Sequence, residues 1–303
     1  MDISEDHQTR KRESYWSNLV DGETGIYKAE AIDRLVRRWM PTRCDAVLDI
    51  GCGTSAIAMA LRNQMKAARL VFMDYDAGVI DTMRREVGDD SVDYKVADIF
   101  ALEHCDDRFD LVLLLDMIHE VYSFYGRPVR RMDCEIDHDT GQRAVREALR
   151  QVAQLVKPGG GIVITDNVLP QRDGPLTVHI RTAAASLAVR RFLTDYPSRR
   201  IGVTWRDERT LDIGAFDFTI LLTQYNKIKA SQEDRWNVEK FEIHQYMTVE
   251  EFRAMFHALG FTLHALVGTP KGAAEEWRED FQVLEGTTAL PDKRISLIAV
   301  KPA

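Results

Sequence analysis

Three acids in this chain each follow a short apolar run: Asp49 in VLDIGCGT, Asp74 in LVFMDYD and Asp98 in VDYKVADIF. Gly51 and Gly53 after the first acid let the backbone turn tightly and approach a ligand closely. A turn that only joins a strand to a helix needs those glycines but has no use for the acid. In an open α/β sheet the ligand crevice lies outside the carboxyl ends of the strands, so Asp49 is expected to face it. A diphosphate there would be repelled, and a ligand bearing an ammonium group would be attracted. Asp74 lies 23 residues past Gly51, where a carboxylate can take both hydroxyls of a ribose. Asp98 could accept the exocyclic amine of an adenine. Together the three acids describe a ligand with a cationic head, a ribose and an adenine. The blander reading of Asp74 and Asp98 is helix capping, since a helical pattern follows each.

The acids need elements to hold them. AVLDI (46–50), LVFM (70–73), VDYKV (92–96), LVLLL (111–115) and GIVIT (161–165) read as short buried strands. AIAMALRNQM and AGVIDTMRREV, lying between the first of them, read as helices. This alternation predicts a parallel sheet with helices on both faces. FTLHALVG and ISLIAV supply two more strands, completing a doubly wound, mostly parallel seven-stranded α/β sheet. YKAEAIDRLVRRWM predicts a helix stopped at Pro41, with Ile32, Leu35 and Trp39 near helical spacing. TVEEFRAMFHALGF predicts a helix with Thr248 and Glu251 as a capping box and Gly260 just past its end. The chain divides into an N-terminal helical segment (1–40), a sheet domain (41–168 and 246–303) and a helical lid insertion (169–245) with no obvious core strand.

The motifs VLDIGCGT, VFMDYD, VADIF, FDLVLLLDMIHEV and LVKPGGGIVIT, in this order, resemble those of the class I S-adenosylmethionine-dependent methyltransferases. The resemblance covers roughly residues 44 to 168 and, more weakly, 246 to 300. It implies S-adenosylmethionine as cofactor and S-adenosylhomocysteine as product. It places Asp49, Gly51 and Gly53, with Cys52 between them, at the methionyl end. Asp74, with Tyr75 beside it, falls at the ribose, and Asp98 with Ile99 at the adenine. Asp116 and Met117 line the site beyond the fourth strand. A plain dinucleotide-binding protein shares the G-x-G-x-x-A pattern, but the acid before the loop and the KPGGG turn separate the two.

Methyl transfer from a sulfonium is an in-line displacement, so the acceptor must be aligned and sometimes deprotonated. His119 in DMIHEVYSFYGRP is the candidate base, because histidine titrates near neutrality, and Glu120 is the candidate to orient it. The competing reading is a histidine that only packs below the cofactor. Tyr122, Asp166, Asn167 and His244 are candidate acceptor contacts. Asp116, Asp166 and Asn167 also resemble the Mg²⁺ ligands of catechol and caffeoyl-CoA O-methyltransferases, and hard oxygens of this kind suit that ion. The longer connection between strands four and five makes a metal-free site the preferred expectation. Residues 170–210 hold eight arginines and four acids, which suits an acidic acceptor or a solvated face.

The chain has 303 residues and a net charge of -8, which disfavours a broad nucleic-acid footprint. No apolar run is long enough to span a membrane. Cys44, Cys52, Cys105 and Cys134 match no zinc spacing. MDISEDHQTRKRESYW lacks the apolar region of a secretory signal, so reduced thiols and a cytoplasmic location are expected. The reading is an enzyme acting on a small-molecule acceptor, at oxygen or nitrogen, with secondary-metabolite biosynthesis as a family-level expectation. The rivals are an RNA or protein methyltransferase, a non-catalytic scaffold and an NAD-linked oxidoreductase. The oligomeric state is not legible; a homodimer is compatible.

Overall fold

The computed structural model describes residues 23–40, 44–53, 56–128, 131–132, 134–287 and 289–303. Pro41 and most of the proposed N-terminal segment lie outside them. The helix α1 (Glu23–Trp39) precedes β1 (Ala46–Ile50), α2 (Ala56–Met65), β2 (Arg69–Asp74), α3 (Ala77–Val87) and β3 (Val92–Val96). A short 3₁₀ helix (Ile99–His104) leads to β4 (Phe109–Leu115), α4 (Ile118–Tyr125), α5 (His138–Leu155) and β5 (Val156–Asn167). These strands, with β9 (Thr262–Gly268) and β11 (Arg294–Val300), form one seven-stranded sheet in the order β3-β2-β1-β4-β5-β11-β9. The first five run parallel, and β11 is antiparallel to both neighbours.

Alternation along the strands explains why both faces are covered. Leu48, Ile50, Val71, Met73, Val112 and Leu114 enter one apolar cluster with α5. Val47, Leu70, Phe72, Leu111 and Leu113 enter the other with α1 and α2. Successive side chains point to opposite faces, so a run that is apolar throughout needs cover on both. Within α1, Ile32 and Leu35 are buried, whereas Trp39 is 38% exposed and stacks on His264 instead of entering the core. The capping box forms as its sequence predicts, ahead of α9 (Val249–Ala258). Gly260 beyond it has a left-handed φ of +81°.

The segment 169–245 departs from its helical expectation. It carries three strands, β6 (Pro175–Ile180), β7 (Val203–Trp205) and β8 (Thr210–Gly214), besides α6 (Ala183–Asp195), α7 (Ala215–Lys229) and α8 (Glu233–Glu239). The partner that completes their sheet comes from beyond the segment. After α10 (Lys271–Asp280), β10 (Phe281–Glu285) pairs with β6 in a four-stranded antiparallel sheet, β10-β6-β8-β7. PLTVHI and TLDIG are short and carry polar residues, so their strand character depends on pairing, with each other and, for PLTVHI, with β10. Leu176, Val178, Ile213, Phe218 and Trp236 join the apolar cluster on one face of the large sheet, so the insertion shares the main core. Among the described residues, no helix is long and apolar enough to cross a membrane.

Arg127 fastens α4 to this insertion. Its guanidinium donates to the Ser123 carbonyl, to Cys134 O at 3.1 Å, to Ser198 Oγ at 3.0 Å and to Phe241 O at 2.7 Å. Ser123 Oγ in turn accepts from Ile243 N at 2.9 Å. The stretch 241–243 is thereby held against α4. Replacing Arg127 by Met leaves these buried acceptors without a donor and should cost about 2–4 kcal/mol of stability. The chemical denaturation midpoint is the check; a wild-type midpoint would show that the tie does not hold the two parts together.

Candidate active site

The loop after β1 departs at Gly51, whose φ is +69° and whose N–H donates to Met73 O at 2.8 Å. A Cβ at Gly51 would lie 3.0 Å from the Cβ of Met117, so the loop and the end of β4 are in close contact. At Gly53, with φ +29°, a Cβ would meet nothing nearer than 3.9 Å. Asp49 sits beneath this loop and is 1% exposed, and neither carboxylate oxygen has a hydrogen-bond partner among the described residues. Burial, reinforced by the nearby charge of Asp74, holds its carboxyl well above the usual range. Burial, followed by Asp49 and Asp74, likewise pushes up the neighbouring Cys52 thiol. A buried, unpaired carboxylate is costly by itself, and a cationic group from a ligand would remove that cost.

Asp74 ends β2 and is 7% exposed, accepting from Asp76 N at 3.0 Å. Burial, aided by the charge of Glu120 and opposed by the Asp76 N–H, pushes it up to about 7. Its capping role belongs in fact to Asp76, which accepts from Gly78 N at the start of α3. Tyr75 is exposed. Asp98 does cap: its carboxylate accepts from Phe100 N at 2.9 Å and remains exposed, while Ile99 is buried. Asp98 and Phe100 line a cleft with Tyr125, Thr140 and Arg143.

At the ends of β4 and β5 lies a buried polar network. Asp116 takes a left-handed φ of +55°. Its carboxylate pairs with Lys28 of α1 and Arg294 of β11. Burial opposes its charge, but those two cations overcome burial and hold the carboxyl below its usual range. Asp166 accepts from His119 N at 3.0 Å, Asn167 N at 2.8 Å and Tyr246 Oη at 3.2 Å. The first of these satisfies an N–H in the opening turn of α4, where a negative charge also suits the helix dipole. His119 Nδ1 lies 2.9 Å from Asp166 Oδ1. On the far side, Glu242 Oε2 is 3.6 Å from both His119 Nε2 and His244 Nε2. Glu239 is bound by Lys227 and by Arg235 at 2.6 Å.

Several expectations need correction. Burial would lower the basicity of His119, but Asp166 and Glu242 outweigh it and push it up to about 10. The two carboxylates thus favour the protonated ring and work against a free base at this position. Asp166, not Glu120, orients it; the charge of Glu120 is felt by Asp74 on the cofactor side. Tyr122 is 1% exposed, stacks on Tyr246 and meets His138 Nδ1 at 2.9 Å, so it is core and not an acceptor wall. The proposed Asp116, Asp166 and Asn167 metal set is spent on other partners: two cations hold Asp116, and Arg294 reaches Asn167 Oδ1 at 3.4 Å. His244 does reach the site, its ring centroid 4.5 Å from that of His119. The arginines of the insertion mostly serve its surface: Arg191 pairs with Glu233, Arg199 with Asp217 and Arg206 with Asp212.

Lys28, Glu242 and Arg294 were not found from sequence, because each belongs to an element remote from the glycine loop. Glu242 left a trace, since in FEIHQY it shares one side of an extended stretch with His244 and Tyr246.

Residues 47–160 match a methyltransferase domain family. A ribosomal RNA small subunit methyltransferase C of Actinobacillus pleuropneumoniae serotype 7 is 27% identical over 128 residues, 42% of this chain and 34% of the relative. A demethylmenaquinone methyltransferase of Clavibacter sepedonicus is 30% identical over 131 residues, 43% of this chain and 44% of the relative. The chain thus spans less than half the length of these curated relatives. A chain from the complex between the Haloferax volcanii Trm112 methyltransferase activator and a methyltransferase shares the fold, with a TM-score of 0.54 over 98% of both chains at 12% identity. The matched segment and the strand order agree: residues 47–160 are a methyltransferase domain, set in a sheet of the class I S-adenosylmethionine-dependent methyltransferase fold.

Proposed function

We propose that the chain methylates a small-molecule acceptor within a closed pocket at the ends of β4 and β5. The observation that supports this most is the cover over those strand ends. Lys28 from α1, the stretch 242–246 and Arg294 from β11 all bury their side chains there. A macromolecular acceptor would need this cover to open, whereas a small molecule can be enclosed and water excluded. S-adenosylmethionine, when bound, supplies a methyl group on an already activated sulfonium.

The residues then divide the work. Asp49 pairs with the ammonium of the methionyl group, and Gly51, Cys52 and Gly53 let the backbone pass close beside it. Asp74 accepts from the ribose hydroxyls, with Tyr75 covering that side. Asp98 and Ile99 border the adenine. Met117, packed on Gly51, and Asp116 form the wall between cofactor and acceptor. Tyr246, Asn167 and His244 are placed to contact the acceptor, while His119 acts as a positioning group fixed by Asp166. A second reading, RNA methylation, draws on the ribosomal RNA methyltransferase relatives, whose match covers 42% of the chain.

Replacing Asp74 by Ala should weaken S-adenosylhomocysteine binding by about 10–100-fold, the loss expected for two charge-assisted hydrogen bonds; unchanged affinity in calorimetry would remove the ribose assignment. The raised basicity of Asp74 also gives a pH signature. Its folded value of about 7 exceeds its ordinary value of 3.8, so this group's contribution to ligand-free stability is lost as pH rises through that window. Binding uses the carboxylate, so affinity should fall as pH drops below about 7. The dependence should flatten in Asp74→Asn.

Asp49→Asn separates stability from function. Removing a buried carboxyl that has no partner should leave the ligand-free melting temperature equal or higher, while affinity for S-adenosylhomocysteine drops by about tenfold or more. Retained affinity would refute the ammonium contact. Electrophoretic binding of ribosomal RNA at physiological salt tests the acceptor class. No retardation, with transfer of a labelled methyl group to a low-molecular-weight extract, is the expected result. Specific RNA retardation with methylation of that RNA would overturn it.

A further inference from the structure

His119, Glu242 and His244 converge although α4 and the stretch before α9 are more than a hundred residues apart in the chain. Each offers one ligand atom, all three atoms lie within 4.8 Å of one another, and all three residues are buried. The spacing within this group is the informative feature. His119 meets Asp166 at 2.9 Å through Nδ1, an ordinary hydrogen bond. Through Nε2 the same ring stands 3.6 Å from Glu242, and His244 Nε2 stands 3.6 Å from the same carboxylate oxygen. These separations are too long for hydrogen bonds. They are close to the edge of a tetrahedral shell, since donors about 2.1 Å from a zinc ion stand about 3.4 Å apart.

We propose that His119 Nε2, Glu242 and His244 Nε2 bind a divalent transition-metal ion, with zinc the best fit to the two-imidazole, one-carboxylate set. Three protein ligands leave a coordination position for a water or for a heteroatom of a bound small molecule. The outer contacts agree with the inner ones. Asp166 takes the Nδ1 proton of His119 and leaves Nε2 to the ion, the arrangement by which carboxylates orient metal-binding histidines. Gln224 lies 3.0 Å from His244 Nδ1. Binding through His244 Nε2 puts that ring's proton on Nδ1, so the Gln224 amide turns its oxygen toward it. Lys227 then gives up Gln224 Oε1 and keeps Glu239. The ion takes the place of the Nε2 proton of His119 and balances the buried charge of Glu242. Glu239 Oε2 is 3.5 Å from His244 Nε2 but is held by Lys227 and Arg235, so it remains outside the shell. The inference shares His119 and His244 with the proposed acceptor side but no ligand with the proposed cofactor cradle, so metal binding and S-adenosylhomocysteine binding are read out separately.

The test uses the whole chain, stripped with a chelator and dialysed. Titration with Zn²⁺ should show one equivalent bound, and the melting temperature should rise with Zn²⁺ but not with Mg²⁺. Co²⁺ should give the visible absorption of a low-coordinate nitrogen and oxygen site. His244→Gln and Glu242→Gln should each weaken binding by about 100-fold or more, while S-adenosylhomocysteine binding reports that they remain folded. Absence of stoichiometric Zn²⁺ and Co²⁺ binding by the wild type overturns the proposal without any variant. So does a thiolate-to-cobalt charge-transfer band, which would assign the ion to cysteine, or wild-type affinity in folded His244→Gln.

Discussion

Two paired carboxylates at the ends of β4 and β5, Asp166 buried and Asp116 partly buried, organise this protein. A charge removed from water is tolerated only when paired and hydrogen-bonded. Asp166 is fully buried and Asp116 partly so, and their partners are supplied from afar: Lys28 from α1, Arg294 from β11, His119 from α4 and Tyr246 from the stretch before α9. Meeting that electrostatic demand brings the N-terminal helix, the last strand and the insertion to one point. The acceptor side of the site is built from the same contacts that close the fold.

Asp49 is the counterpoint. It is as buried as Asp166, yet neither oxygen finds a partner among the described residues. Its neighbours are a glycine loop, a buried thiol and a second acid, Asp74. Stability alone would favour an apolar residue at this place. The arrangement makes sense when a ligand supplies the missing cation, and it assigns the two sides of the cleft different tasks. Beside the glycine loop Asp49 has no partner among the described residues, whereas Asp116 and Asp166 at the ends of β4 and β5 already have theirs.

The insertion changes character once its context is known. Its three strands pair with one another, and β10, which follows the segment by some distance in the chain, adds the fourth strand at the β6 edge. Three of its arginines, which read as a cluster suited to an anion, form ion pairs on its surface: Arg191, Arg199 and Arg206. Its contribution to the site comes from Glu242 and His244 instead, held in place through Arg127 and Ser123.

The sequence by itself determined the central sheet and the glycine turn that follows its first strand. Those features are local: AVLDI and VDYKV carry strand character in consecutive residues, and Asp49, Gly51 and Gly53 lie within one turn of chain. The capping box at Thr248 and Glu251 was legible for the same reason. Only the tertiary structure decided the acceptor side. The state of His119 depends on Asp166 and Glu242, 47 and 123 residues away, and the role of Asp116 depends on Lys28 and Arg294. Electrostatic pairing and burial act through space, so a spacing along the chain cannot reveal which charges will meet or how strongly one will shift another.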